Sequence, residues 1–181
     1  MAKTDSSIKT EDMRKGNVSL ILDSYEDLFS DFDPRPYSEK AISDDFLQEC
    51  KRAARDKEGG FELELLVPQA KRNTTDEIVI KRRLKSHFQK HFKQKHKEIT
   101  RMREEGILWV IVGCFFMATT TMVKTYSASL LTNFLIILLE PAGWFSFWEG
   151  LAKIFIQSRK EKPEQSFYMK MADIDVSFSS Y

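Results

Sequence analysis

Two uncharged segments separated by four residues place the strongest constraint on how this chain can fold. The first runs from Ile107 to Val123 and the second from Ala128 to Leu139, with the polar sequence KTYS between them. A helix of seventeen residues, the length of the first segment, measures roughly 26 Å, close to the ~30 Å hydrocarbon core of a bilayer. So short a connection predicts an antiparallel transmembrane hairpin. The alternative is a buried hairpin in a soluble core, which the lack of a polar face on either segment disfavours.

Basic residues predict the orientation of this hairpin. The segment from Lys81 to Arg103 contains ten lysines and arginines and one glutamate, and Arg159, Lys160 and Lys162 follow the second segment. The connection contains only Lys124. Basic residues accumulate on the cytosolic side of membranes. We therefore expect an integral protein of the cytoplasmic (inner) membrane with both termini in the cytosol, and the polar first 17 residues predict no signal peptide.

The sequence LEPAGWFSFWEGLAKIF, which follows the second segment, predicts a helix in the membrane interface. Pro141 and Gly143 favour a break near Glu140. After the break, residues 141–157 form a narrow polar stripe and a broad aromatic face, typical of an interfacial helix. Glu149 and Lys153 are spaced for a surface ion pair. The alternative is a single kinked span from residue 128 to 156, about 43 Å long and therefore strongly tilted. The predicted interface anchors are Trp109, Trp144, Trp148 and Phe155.

Glu140 is the acidic residue at the end of the second predicted span. If the chain reverses near Lys124, Glu140 lies level with Leu108, close to the cytosolic headgroups. We expect it to pair with Arg101 or Arg103 across the hairpin. A proton or cation site is the alternative, because acids within membrane segments are often functional.

The remaining sequence predicts a small cytosolic α+β domain, in residues 18–105, behind a disordered tail of residues 1–17. Ser43 can cap a helix with an apolar face that contains Phe46 and Cys50, and Gly59 and Gly60 end it. A second helix, capped by Thr74 or Thr75, carries an apolar stripe and continues into the first span. This stripe contains Ile80, Leu84, Phe88, Phe92, Ile99 and Met102.

Alternating apolar residues predict two strands, one from Phe61 to Val67 and one at Ile174, Val176 and Phe178. We expect these strands to pair, which would place the hairpin (residues 106–140) as an insertion in the α+β domain. The closing strand lies in a cytosolic segment of residues 158–181. The predicted fold class is therefore an α+β membrane protein with a transmembrane hairpin, an interfacial helix and a sheet of two to three strands. So small a sheet is marginal alone, and we expect membrane contact or self-association to complete its core.

The basic helix has three interpretations. We expect Lys81, Arg82, Arg83, Arg101 and Arg103 to contact anionic lipid. Nucleic-acid binding is less favoured, because the nearby aromatic residues belong to the apolar stripe. The third interpretation is an acidic protein surface, which the chain's own segment from Asp23 to Asp33 could supply.

No sequence motif predicts catalysis. His87 and His91 are one helical turn apart, but lysines and arginines surround them and no third ligand is evident, so no metal site is expected. Asp31 and Asp33 lack the pattern of a calcium loop. Phosphate-binding, dinucleotide-binding and nucleophile motifs are missing from the sequence, so neither an enzyme nor a bound cofactor is predicted. The two cysteines lie in unlike surroundings and are poor candidates for a disulfide.

The order of these elements resembles that of a family of small prokaryotic two-span membrane proteins without assigned activity. The resemblance rests on FDPRPYSEKAISDDFL, the strand ending in LLVP, the basic helix, the two spans, GWFSFWEGL and the terminal strand. It implies the architecture and no catalytic residues. We predict a non-catalytic membrane protein that anchors or organises a cytosolic assembly and self-associates. The alternative is an oligomeric pore-forming effector in which Glu140, Asn133 and Thr119 to Thr121 face the pore.

Overall fold

The chain divides into two compact units, in a computed structural model that describes residues 18–55, 62–126 and 129–181. The sheet unit consists of Met1–Phe92 and Ser166–Tyr181, and the hairpin unit is Lys93–Gln165. The predicted disordered tail (residues 1–17), the predicted helix stop at residues 59–60 and the end of the KTYS connection lie outside the described residues.

Three parallel strands form the sheet. β2 (Leu63–Val67) lies between β1 (Val18–Ile21) and β3 (Val176–Ser180), and Leu63 pairs with Val18 on one side and Val176 on the other. The predicted pairing of the C-terminal strand with β2 is confirmed. β1 was not predicted, although apolar residues alternate along it in the same way as along β2.

The core of the sheet unit contains residues of the sheet and of three helices, and the last of these helices contributes Phe167 and Met171. Leu63, Leu65 and Val67 of β2 are fully buried, while the residues between them are only partly buried. The helix α1 (Asp44–Arg55) contributes its predicted apolar face. The long helix α2 (Thr74–Tyr126) contributes the predicted stripe, of which Ile80, Leu84 and Phe88 are fully buried. Periodicity therefore predicted the core residues of these elements, but not the buried Tyr25, Leu28 or Met171.

Helix α2 is continuous across Gly106, as predicted, and contains 53 residues. The predicted cap at Thr74 or Thr75 is wrong by one residue: the Asn73 side chain accepts a hydrogen bond from the Thr75 amide, at 3.0 Å. Asparagine is among the best capping residues because its short side chain reaches the free amides of the first turn.

The predicted break near Glu140 is wrong. Helix α3 (Leu130–Leu151) includes Pro141 and Gly143, and six residues of wider π-helical turn (Ala152–Gln157) connect it to α4 (Ser158–Ala172). A proline removes one amide donor from a helix but does not always end it. Here the residues after Pro141 pack against α2 only if the helix continues, and this packing outweighs the local cost. The residues predicted to form a separate interfacial helix therefore extend the second apolar helix.

Candidate membrane hairpin

Helices α2 and α3 pack against each other along a narrow seam of small residues. On α2 the seam contains Gly106 and Gly113, and on α3 it contains Gly143 and Gly150, so each pair is seven residues apart. A Cβ atom added to Gly113 would lie 2.6 Å from the amide nitrogen of Phe147, and one added to Gly150 would lie 2.5 Å from the carbonyl oxygen of Gly106. The backbones therefore approach closely, as in helix pairs of membrane proteins.

Hydroxyl groups in the hairpin are bonded to their own helices. Ser146 lies in the seam, only 5% exposed, and donates to the carbonyl of Ala142 at 2.7 Å. Thr120, also buried in the seam, donates to the carbonyl of Met117. Thr119 and Thr121 donate in the same way to carbonyls one turn earlier. The three threonines predicted to face a pore thus point in different directions, with Thr120 turned to the partner helix.

Large apolar side chains lie on the outside of the hairpin. Both helices are long and apolar enough to cross a membrane, and only 17% of each most apolar window is buried. The exposed apolar side chains of the hairpin unit are Ile107, Leu108, Trp109, Ile111, Phe115, Met122, Leu130, Leu131, Phe134, Leu135, Ile137, Leu138, Trp144, Phe145, Trp148, Phe155 and Ile156. Helices of a soluble core would bury such residues, so this arrangement is the reverse of a soluble hairpin.

Glu140 pairs with Lys124, and the predicted pairing with Arg101 or Arg103 is wrong. The Lys124 Nζ lies 2.8 Å from Glu140 Oε2, and both side chains are about half exposed. The predicted level of Glu140 is also wrong. Gly143, three residues further along α3, packs beside Phe116 and Met117 rather than near Leu108. The predicted level assumed that both helices begin at Lys124, whereas α3 begins only at Leu130.

The predicted aromatic anchors all lie on the exposed surface of the hairpin unit. Trp144 and Trp148 stack on each other with ring centres 6.4 Å apart, one helical turn along α3. They are 51% and 59% exposed, Phe155 is 67% exposed, and Trp109 is 39% exposed. Their depth in a bilayer remains a prediction.

Ion pairs join the two sides of the hairpin unit beyond its apolar part. Lys153 contacts Glu105 at 3.1 Å and not Glu149, so the predicted helical pair is replaced by one between helices. The hydrogen bond from Lys153 holds the pKa of Glu105 below its usual value, and the hydrogen bond from Arg101 lowers this pKa further. Lys95 contacts three carboxylates, those of Glu98, Glu161 and Glu164, whose hydrogen bonds raise its pKa.

The five basic residues predicted to contact lipid occupy different settings. In the sheet unit, Lys81 lies over the ring of Phe178, and Arg83 donates to the carbonyls of Lys40 and Glu39. Arg82 lines an open cavity of about 300 Å³ that Arg83 also lines. In the hairpin unit, Arg101 pairs with Glu105, while Arg103 is exposed. Lipid contact stays a prediction for all five.

Acidic residues near the N-terminus form hydrogen bonds and ion pairs with residues close to them in the sequence. Asp33 binds Arg35 and the Ala41 amide, and Glu26 pairs with Lys40 and accepts from Tyr37. Asp27 accepts from the amides of Asp23 and Ser24. The predicted association of this segment with the basic helix is therefore not made through these carboxylates.

Among the described residues of the sheet unit, the carboxylate of Glu77 is the buried one, at 6% exposure. Arg72 donates two hydrogen bonds to it, at 2.9 and 3.0 Å, and the Tyr25 hydroxyl donates a third at 2.9 Å. The bonds from Arg72 hold the pKa of Glu77 below its usual range, and burial raises the pKa of Tyr25. Because every partner belongs to the surrounding fold, this cluster supports the core rather than a reaction.

The histidine pair is structural in character. The rings of His87 and His91 have centres 4.3 Å apart, and that of His91 stacks on Tyr168. Burial, with smaller contributions from His91, Arg83 and Lys90, lowers the pKa of His87 to about 4, so its ring is neutral at pH 7. Among the described residues, no group of three or more metal-binding side chains comes together.

Comparison with protein-family models, with curated proteins and with solved structures finds no match to this chain. The resemblance to small two-span membrane proteins therefore stays a prediction, and the function must be argued from the hairpin itself.

Proposed function

We propose that this chain is a non-catalytic integral membrane protein that anchors or organises a cytosolic assembly. The observation that carries the proposal is the reversal of packing in the hairpin: small residues meet inside, and large apolar residues face outward. In water that surface would be costly, since exposure of apolar area costs roughly 25 cal/mol per Å². In a bilayer the same surface meets lipid.

Membrane integration is tested by alkaline carbonate extraction of the full chain. We expect the protein to stay in the membrane pellet, because a hairpin of two helices is held by its apolar surface and not by charge. Recovery of a folded, soluble species would contradict the proposal. Peripheral binding through the basic residues gives a different result, namely release by high salt as well as by carbonate.

The proposed orientation places both termini in the cytosol, in agreement with the ten basic residues before the hairpin and the three after it. A cysteine introduced at Thr125, the exposed residue before the end of α2, provides the test in a Cys114→Ser background. We expect a membrane-impermeant thiol reagent to label it from outside intact cells. Labelling only after the membrane is permeabilised would show that the orientation is the opposite one.

The proposed docking surface lies in the sheet unit, where Phe32 is 97% exposed in the loop after β1. Phe32 is the most exposed large apolar side chain among the described residues, so we choose it as the first contact to test. We expect an assembly extracted in mild detergent to lose its bound protein in Phe32→Ser, with the fold intact because Phe32 packs on nothing. The matched control is Phe155→Ser in the hairpin, which leaves the sheet unit unchanged. A chain that is monomeric and without partner after native extraction contradicts the anchor proposal.

A pore is the second candidate, favoured by the exposed Glu140 and Asn133 on the apolar surface of α3. Induced expression with a membrane-potential dye tests it. A pore predicts depolarisation that Glu140→Gln and Asn133→Leu reduce. An anchor predicts no depolarisation in the unchanged protein.

A further inference from the structure

The outer surface of α3 carries a polar stripe that the hairpin itself leaves uncovered. Asn133 and Glu140 are seven residues apart on this helix, so they share one face, with Ile137 between them. All three are exposed, Ile137 by 71%, and the seam with α2 lies on a different side, through Gly143 and Gly150.

The polar groups of the stripe are incompletely bonded within the described chain. Within the described residues (18–55, 62–126 and 129–181), the Asn133 side chain makes no hydrogen bond. An asparagine amide can donate two hydrogen bonds and accept two. Glu140 receives one hydrogen bond, from Lys124 to Oε2. Both residues thus have bonding capacity directed away from their own hairpin.

Their depth makes this exposure costly if the hairpin spans a bilayer. Glu140 is ten residues beyond the first residue of α3, or roughly 15 Å along the helix, about half of a hydrocarbon core. Lys124 lies near the end of α2, where its ammonium could extend to the nearer headgroups, but it contacts Glu140 instead. Charged and amide side chains at this depth almost always face another protein surface or water.

We propose that a second copy of this chain covers the stripe, so that two α3 helices pack in parallel through Asn133, Ile137 and Glu140. This inference rests on the membrane location proposed above. A two-fold axis along the membrane normal brings each residue of the stripe next to its equivalent. The two Asn133 amides then bond to each other, and two Glu140 carboxylates lie beside two Lys124 ammonium groups. Each stripe has an amide that both donates and accepts at Asn133 and an adjacent charge of each sign at Glu140 and Lys124, so it is complementary to itself, and on this ground we choose a second copy as the occupant.

Disulfide cross-linking of the full-length protein in membranes tests the contact. The background is Cys114→Ser, which removes the exposed native thiol; Cys50 is buried, and burial raises its pKa to about 12, so it stays unreactive. Ile137→Cys places a thiol within the stripe without removing its polar residues. Leu138→Cys is the matched control, equally apolar and 61% exposed but turned away from both the stripe and the seam. At low protein-to-lipid ratio we expect dimers from Ile137→Cys and few from Leu138→Cys.

A second substitution separates a specific contact from collision. Asn133→Leu, added to Ile137→Cys, is expected to weaken association about 3- to 30-fold, the range that interhelical hydrogen bonds contribute in membranes. Equal cross-linking at residues 137 and 138, or no effect of Asn133→Leu, would overturn the contact. Rapid reaction of Ile137→Cys with a charged, water-soluble thiol reagent would overturn it in favour of a water-lined path.

The result is separable from that of the proposed function. A carbonate-resistant protein without stripe-specific cross-links refutes the two-copy contact and leaves the membrane anchor standing. A protein released by carbonate refutes both.

Discussion

The two units of this chain differ in where they place large apolar residues: the sheet unit buries them, and the hairpin unit exposes them. In the sheet unit, Leu65, Leu84 and Phe88 are fully buried, and the charged residues other than Glu77 are at least partly exposed among those described. In the hairpin unit, leucines and phenylalanines of similar size are exposed, while glycines fill the interior. The interior of the sheet unit therefore depends on large side chains, and the interior of the hairpin unit depends on small ones. Removing side-chain volume should consequently destabilise the sheet unit, and adding it should destabilise the seam of the hairpin unit.

The largest expected effect comes from removing volume in the sheet unit. Phe88→Ala is expected to destabilise that unit by about 3–5 kcal/mol, because a fully buried aromatic ring leaves a cavity. Hydrogen exchange of the β2 amides measures this loss. Phe155→Ala in the hairpin removes the same ring from a side chain that is 67% exposed and is expected to leave β2 exchange unchanged. Equal effects of the two substitutions would contradict the division into two interiors.

Adding volume to the hairpin seam is expected to cost less, about 1–3 kcal/mol, the range for overpacked interiors. Gly113→Ala introduces a Cβ that would meet backbone atoms of Gly143 and Phe147 at 2.6–2.9 Å, which a side-chain rotation cannot relieve. The loss should appear even though alanine favours helix formation by roughly 0.5–1 kcal/mol over glycine. All three tryptophans lie in the hairpin unit, so their emission during SDS titration reports on this unit.

The control for Gly113→Ala is a substitution at the neighbouring residue, Cys114. Cys114 is exposed, so Cys114→Leu adds more volume than Gly113→Ala but directs it outward. We expect the SDS midpoint to fall for Gly113→Ala and to stay constant for Cys114→Leu. A stabilising Gly113→Ala would show that the helices are not in close contact at this position.

Acid should weaken the sheet unit through His87. Its pKa is about 4 in the fold, against an ordinary value of 6.5, so the unfolded chain binds the proton more readily. The neutral ring therefore contributes stability that is complete above pH 6.5 and is lost as the pH falls towards 4. Allowing for solvent screening, we expect a loss of about 1–2 kcal/mol. Hydrogen exchange of β2, corrected for the intrinsic rate at each pH, measures it.

His87→Leu is expected to remove this part of the acid sensitivity. Protonation of Glu77, whose pKa is held below 4.5, then accounts for the loss that remains at lower pH. His96→Gln, in the hairpin unit, is the control and should leave the dependence as it is. An unchanged slope between pH 6.5 and 4 in His87→Leu would exclude His87 as its source.

The sequence was sufficient to predict elements whose residues follow one period. The stripe of α2, the alternation in β2 and β3, and the two apolar segments are visible without the structure, and the pairing of β2 with β3 followed from them. β1 was missed because only four residues form it and their alternation is brief. The strand gains its stability from β2, a partner 45 residues away in the chain, which no local pattern contains.

Pro141 and Gly143 were misread because their local propensity was taken to decide the structure. Gly143 disfavours an isolated helix, yet in this hairpin its missing side chain allows the close approach of α2. The spacing of seven between Gly106 and Gly113, repeated between Gly143 and Gly150, is present in the sequence and could have predicted the seam. The pairing of Glu140 with Lys124 depends on the offset between the helices, which only the packed hairpin determines.

The smallest expected effect concerns the ion pair between Glu105 and Lys153 in the hairpin unit. Lys153→Gln should lower the SDS midpoint of the tryptophan signal less than Gly113→Ala does, because Glu105 remains hydrated and keeps Arg101 as a partner. The pKa of Glu105 is lowered by these bonds, so the contribution is present above about pH 4.5 and declines as the pH falls further. High salt should abolish the difference between the unchanged protein and Lys153→Gln, since screening weakens exposed pairs.

Arg103→Gln, which removes an exposed charge from the same region, is the control and should not shift the midpoint. A salt-independent loss in Lys153→Gln would mean that Lys153 acts by packing in the seam beside Gly106, where its Cβ lies 3.1 Å from the position of an added methyl group.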